Sequence, residues 1–343
     1  MKLRRMDPTG VFAVVVAGEA MREAGYSHRP EGDDDVGVVF GTCTAGGQAT
    51  SEYLQSLFSG GPLAAPALLF NSTVGNAAAS LAGLEFKLRG PNVTISHKEA
   101  SGLAAIVTAT DFLRQERAVS LATGGIDAIT EPYYKAHDRF RTMVGDARAS
   151  DVVGPFDRAR RGIVMGEGGF ALWLEDGDRA RARGARVAGE VLGVGAAGAA
   201  VSINAWPDRP EPLVRTMRLA LDDAGLAPAD VDVVYASANG AQILDGVEAR
   251  ALADLFGTAQ PVVTSIKGAI GECGAAGAAS AVAALLCGRL GQVPPIAGLR
   301  DPDEACRPLR LARTVMPSPG PHVLVNSFAS GGALFSLVLR VSA

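Results

Sequence analysis

Two short stretches of this chain put charged side chains where a fold would expose reactive groups. The first, GPNVTISHKEASGLAAI (90–106), reads as a strand, a sharp turn and a small-residue helix. Such a turn normally presents a thiol or hydroxyl, because the helix dipole lowers the pKa of a nucleophile at its N-terminus. Here the apex is Glu99, flanked by His97 and Lys98. A carboxylate at that place is favoured by about 0.3–1 kcal/mol when exposed and about 2 kcal/mol when partly buried. It suits a plug that ties the turn together or an acid–base group, but it cannot carry a thioester. The second stretch, SIKGAIGECGAAGA (265–278), sets Lys267 and Glu272 in a Gly-rich turn ahead of an Ala-rich helix. Lys98 and Lys267 are the candidate cations for Glu99. His97, Glu99 and Glu272 offer metal donors on paper. Residues adjacent on a tight turn point apart, however, and only four histidines are present, so no metal site is expected and His97 reads as a turn or interface residue.

The elements that must position these groups follow from hydrophobic periodicity. Strands are expected at 35–41, 92–96, 118–123, 169–175, 231–237, 261–265, 322–328 and 334–341. Helices are expected at 99–115, 209–225, 243–256 and 274–289, and the segment 12–26 favours a helix ending at Ala24-Gly25-Tyr26. Near-continuous apolar strands alternating with helices indicate an α/β fold whose sheets are covered on both faces. The strand–turn–Ala-rich helix at 92–115 is echoed at 261–289, which indicates two similar halves, 1–154 and 155–343, with closely packed helices between two sheets.

Composition narrows the function classes. The chain has 343 residues, 48% of them hydrophobic, and a net charge of −4, which gives no nucleic-acid footprint. No apolar run reaches the roughly 20 residues of a membrane span. MKLRRMDPTG lacks the apolar region of a signal peptide. Cys43, Cys273, Cys287 and Cys306 are scattered without a CxxC pair, as expected of reduced thiols in a cytoplasmic protein. RARARGAR (179–186) reads as a solvated helix end rather than a docking site.

An ordered series of motifs goes further: GPN with ASGLAAI (90–106), ATGGIDAIT (122–130), PFDRARRGIVMGEGGFALWLED (155–176), RARGAR (181–186), SIKGAIGECGAAGA (265–278), VPPIAGL (293–299) and VNSFASGGALFSLVL (325–339). In these the chain resembles the β-ketoacyl synthases of the thiolase superfamily along almost its whole length. The resemblance implies a five-layer αβαβα fold from two related halves, an obligate dimer, and a Cys-His-His catalytic set. The matching positions here hold Glu99, Asn239 (in SANGAQ) and Glu272 (in IGECGAAG), with Lys267, Phe328, Gly331 and Gly332 retained. Condensation needs a soft nucleophile and two imidazoles to stabilise the enolate oxygen formed on decarboxylation. Glu99 cannot carry the chain, and a carboxylate at Glu272 repels an enolate.

Loss of the whole set with the rest intact resembles the chain length factor, or ketosynthase β-subunit, of type II polyketide synthases. The implied role is a non-catalytic subunit, without cofactor or metal, that pairs with a ketosynthase α-subunit and shapes a chain delivered by acyl carrier protein on phosphopantetheine. The segment ALLFNSTVGNAAAS (67–80) then leads into the interface helix. Leu69 or Phe70 would close the partner's tunnel or serve as interface core, with Asn71, Val74 and Phe328 beside the same tunnel or interface. The alternative is a stand-alone malonyl-thioester decarboxylase or hydrolase using Glu99, though such decarboxylases usually keep the histidines. One departure stands out: the family opens with a strand before the first helix, and Met1 here begins near that helix, so a short first sheet is expected.

Overall fold

The structure is a computed structural model and describes residues 6–27, 29–145 and 151–342; Lys2, Arg4 and Arg5 lie outside the described residues. Strands β1 (Val36–Gly41), β2 (Asn92–Ile95), β3 (Ser120–Asp127) and β4 (Gly168–Glu175) form one sheet in the order β2-β1-β3-β4. β4 alone runs antiparallel. The second sheet contains β5 (Gly189–Gly198), β6 (Val233–Tyr235) and β7 (Val262–Thr264). After a short ribbon strand β8 (Gln292–Val293) come β9 (Arg310–Leu311), the ribbon partner β10 (Met316–Pro317), β11 (His322–Phe328) and β12 (Ala333–Val341). The order of this sheet is β5-β12-β11-β6-β7-β9.

Helices fill the layers around these sheets. α1 (Pro8–Glu23) and α4 (Ala77–Glu85) cover the outside of the first sheet, while α2 (Gly47–Gly60) and α3 (Ala67–Phe70) lie in the connection between β1 and α4. α5 (Ser101–Arg114) lies between the sheets. α6 (Glu131–Arg139) and α7 (Gly177–Ala182) flank β4 in sequence. α8 (Glu211–Ala224) and α9 (Gln242–Phe256) cover the outside of the second sheet. The short α10 (Lys267–Ile270) leads to α11 (Ala276–Arg289), which packs on α5 to complete five layers.

Small residues explain the central layer. A side chain at Gly102 would meet the Gly274 carbonyl at 3.1 Å and Ala278 at 3.0 Å, and one at Gly277 would meet Leu103 at 2.9 Å. The two helices therefore approach almost backbone to backbone, at the packing density of a crystal. Leu103 and Ile106, both 0% exposed, anchor α5 in the core shared with β6, β7, β11 and β12. Each such burial contributes about 1.5–3 kcal/mol.

The halves match element for element: β1, β2, β3 and β4 correspond to β6, β7, β11 and β12, and α1, α4 and α5 to α8, α9 and α11. In the second half β5 pairs along β12, whereas no strand among the described residues pairs the outer edge of β4. Among the described residues the first sheet therefore has four strands and the second six.

Two expectations need correction. The boundary at 154/155 falls too early, because β4 pairs with β3 in the first sheet and the chain crosses between sheets only between Glu175 and Gly189. β5 was not expected at all, since GEVLGVGAAG is poor in β-formers. Its glycines are needed for contact with α8: a Cβ at Gly193 or Gly195 would lie 2.3 Å from the carbonyls of Ala220 and Thr216 respectively. Among the described residues, no helix is long and apolar enough to cross a membrane.

Candidate functional site

The turn after β2 is held by local chemistry. Ser101 accepts the His97 amide through Oγ at 2.9 Å and donates the same hydroxyl to the Lys98 carbonyl at 2.6 Å. Lys98 sits at φ +50°, in the left-handed region that a side chain normally avoids. This aims Glu99 inward, where it is 7% exposed. Glu99 Oε2 accepts the Ser330 backbone N–H at 3.1 Å, and the Ser330 hydroxyl lies 3.1 and 3.2 Å from Oε1 and Oε2. Neither candidate lysine touches Glu99 directly. Lys98 Nζ donates instead to the Ile203 carbonyl, to Asn204 Oδ1 at 3.3 Å and to Ser330 Oγ at 3.2 Å.

Lys267 is committed elsewhere. Its Nζ lies 2.8 Å from Glu272 Oε2, with the two side chains 1% and 2% exposed. The same carboxylate oxygen accepts Asn239 Nδ2 at 2.6 Å, and Oε1 accepts the Cys273 amide at 3.1 Å. The chain folds this way because Gly271, at φ +77°, reverses the backbone between Lys267 and Glu272. Asn239 is fixed from its own side by Asp245, which accepts its amide at 2.8 Å. Burial pushes the Glu272 carboxyl up to about 7, with the Lys267 ammonium pulling against it and the Glu99 carboxylate adding to the rise. Asn239, Lys267 and Glu272 thus form one closed cluster, and Glu99 stands close enough to be felt electrostatically.

Behind this cluster lies a carboxylate that sequence reasoning missed. Glu248 on α9 is 0% exposed; its Oε1 accepts the Ser237 amide at 2.9 Å and Asn326 Nδ2 at 3.1 Å, while Oε2 has no hydrogen-bond partner. Burial pushes it to about 7 as well. Ser237 Oγ, 3.5 Å from Lys267 Nζ, joins the two carboxylates into one polar seam. A helical Glu among Val, Gly and Ala gave no periodic signal of this.

A second missed group lines the first half. Asp127 Oδ1 accepts Thr42 Oγ1 at 2.8 Å, the Cys43 amide at 2.8 Å and both the amide and hydroxyl of Thr44, while Cys43 Sγ donates to Oδ2 at 3.3 Å. Burial and then this carboxylate push the Cys43 thiol up, the opposite of a reactive cysteine. Burial also raises Cys273, Cys287 and Cys306. His137 on α6, edge-on to Tyr133 at 4.6 Å, is lowered by burial while the Glu99 carboxylate opposes.

The remaining candidates divide. Phe70 is 54% exposed, with its ring 5.7 Å from Tyr53; Val74 is 45% exposed, Asn71 is exposed and Leu69 is half-buried. Phe328 corrects an expectation: its side chain is 0% exposed in the core under α8 and α9 and lines no surface. It is apolar at the end of a central strand, so its main chain, whose N–H donates to Ser237 Oγ at 2.9 Å, is what reaches the site. The His97 ring packs against Phe335 in a tilted contact, centroids 5.4 Å apart. Among the described residues, no three His, Cys, Asp or Glu side chains are grouped to hold a metal.

Known proteins place this geometry. Residues 1–180 match the β-ketoacyl synthase N-terminal domain and residues 188–300 the β-ketoacyl synthase C-terminal domain. The chain is 33% identical to nodulation protein E of Rhizobium leguminosarum bv. trifolii, over 99% of this chain and 84% of that protein. It is 33% identical to the actinorhodin polyketide putative β-ketoacyl synthase 2 of Streptomyces coelicolor, over 87% of this chain and 73% of that one. Among solved structures, the ishigamide ketosynthase/chain length factor superposes with a TM-score of 0.91 at 30% identity, covering 100% of this chain and 84% of its counterpart. With both domains matched in order on one five-layer fold, the chain belongs to the β-ketoacyl synthase family.

Proposed function

We propose that this chain is the non-catalytic partner of a condensing pair, a chain length factor that heterodimerises with a Cys-His-His ketosynthase and shapes the tunnel for a growing polyketide. One observation carries the reading: the groups at Glu99, Asn239 and Glu272 are satisfied by one another or by protein neighbours. Condensation needs a thiolate and unpaired donors aimed at a developing oxyanion. Here the donors of Ser330 and Asn239 and the Lys267 ammonium are all directed at carboxylates. The same fact argues against a stand-alone decarboxylase or hydrolase, since Glu99 as a base would have to leave its donors.

The surface supports a partner. β2 lies at the edge of its sheet, and α2 together with the segment leading from it to α4 exposes Leu54, Phe58, Leu63, Leu68, Phe70 and Val74. An open strand edge beside exposed apolar side chains is an aggregation hazard unless another subunit covers it. On this reading the ketosynthase subunit covers both, Leu69 or Phe70 reaches the end of its acyl tunnel, and the chain arrives on acyl carrier protein.

The test is co-expression with a candidate ketosynthase and mass spectrometry of the products from malonyl-carrier protein. The pair is expected to condense, and the isolated chain to do neither condensation nor decarboxylation. Turnover by the isolated chain, or an acylated Glu99, overturns the proposal.

A further inference from the structure

The contact between Glu99 and Ser330 has the form of a ligand in a site. We infer that the loop around Ser330 is a carboxylate-binding cradle, built independently of Glu99 and filled from within by it. This deepens the non-catalytic reading and rests on it, because an apex that carries its own anion has no donor left for an acyl carbonyl.

The direction of the Ser330 amide is set by other bonds. Gly331 and Gly332, at φ +86° and +83°, form a turn in which the Gly332 amide donates to the Ala329 carbonyl at 3.1 Å and the Gly331 amide to the Ala205 carbonyl at 2.9 Å. These bonds do not involve Glu99, so the Ser330 N–H points into the pocket whatever stands at the apex. Only glycines take two such dihedrals in succession at little cost.

The hydroxyl is polarised too. Lys98 Nζ, tethered by the Ile203 carbonyl and Asn204, donates to Ser330 Oγ, which leaves the hydroxyl proton for the carboxylate. The positive charge therefore reaches Glu99 through Ser330 rather than by direct contact. The two acceptor oxygens and the two Ser330 donors match: Oε2 takes the N–H, and both oxygens lie within 3.2 Å of Oγ. A carboxylate satisfies this arrangement, whereas a chloride or an amide fills it only in part. Charge-assisted bonds of this kind are about twice as strong as neutral ones. They also join the first half of the fold, which supplies Glu99 and Lys98, to the second, which supplies Ser330 and Asn204.

The test is chemical complementation in the full chain. Glu99→Ala should melt below the parent protein, and sodium acetate should raise its melting temperature saturably relative to sodium chloride of equal ionic strength. The gain should grow with the logarithm of acetate concentration above the dissociation constant. The parent protein, whose cradle is filled, should melt alike in the two salts, Glu99→Gln, whose amide fills the cradle in part, should respond less than Glu99→Ala, and Glu99→Ala/Ser330→Ala should lose most of the acetate response. Equal melting of Glu99→Ala in acetate and chloride overturns the cradle, as does an equal acetate response in the parent. If Glu99→Ala does not fold in buffer, its refolding yield in acetate against chloride gives the same decision: recovery only in acetate supports the cradle, and failure in both overturns it. Condensation by the isolated parent chain is measured separately, so the cradle and the functional reading can fail independently.

Discussion

Removing the Lys267 ammonium is the sharpest test of the closed cluster. Its Nζ lies 2.8 Å from Glu272 Oε2, and both side chains are almost wholly buried. Lys267→Met keeps most of the volume but leaves the Glu272 carboxylate with only the Asn239 and Cys273 donors. Breaking a buried ion pair from one side costs about 3–5 kcal/mol, because a charge stays in a medium that solvates it poorly. The loss must depend on pH. Burial already holds Glu272 near 7 with Lys267 pulling it down, so without the lysine it rises further, and each pKa unit is worth about 1.4 kcal/mol. At pH 6 the carboxyl is protonated and the loss should be small. By pH 8 it should be larger by about 1.4 kcal/mol, because over that span the parent carboxyl ionises beside its lysine while the variant's carboxyl stays protonated. Adding Glu272→Gln removes the charge while keeping an acceptor for Asn239, so the double variant should return to within about 1 kcal/mol of the parent at pH 8, since uncharged replacements of buried pairs are often neutral. Chemical denaturation followed by circular dichroism, at fixed protein concentration and at both pH values, reads all of this. A Lys267→Met loss below about 1 kcal/mol at pH 8, or a double variant less stable than the single, would refute the reasoning.

Further outcomes follow from the same geometry. Glu248 and Glu272 both sit near 7 when folded, above their ordinary value, so the native state holds protons that the unfolded chain has released. Their contribution to stability is therefore full below about pH 4.5 and is lost as pH rises through 7; Glu248→Gln should flatten this decline in denaturant midpoints, and an unchanged slope contradicts it. Glu99→Cys alone should not condense acyl groups, because Asn239 and Glu272 still stand where imidazoles would be needed; measurable turnover of malonyl-carrier protein would show that these two positions are misassigned. Phe70→Ala, at a side chain 54% exposed in the single chain, should leave the fold intact and, if the segment is a gate, shift the co-expressed pair to longer products, as should Leu69→Ala. Unchanged chain length in an intact pair from both variants removes the gate.

The α/β alternation, the inward-facing small-residue helices and the turn at Glu99 were legible in the sequence, because each rests on local spacing: apolar runs of strand length, Ala and Gly where helices must touch, and a strand feeding a helix through a short polar turn. That Glu99, Asn239 and Glu272 offer neither a thiol nor an imidazole was likewise legible from residue identity, which alone limits the chemistry a position can do. Hydrogen-bond partners were not. Lys98 adjoins Glu99 in the chain yet reaches it only through Ser330, 231 residues on, and Lys267 turns to Glu272 because a left-handed Gly271 folds the chain back between them. β5 was hidden because its glycines answer to the backbone of α8, and Glu248 was hidden because burial rather than pattern gives it meaning. Sequence fixes which groups can donate or accept, but only the packing of one half against the other decides which of them meet. In this protein those meetings leave the apex carboxylate held by its own chain.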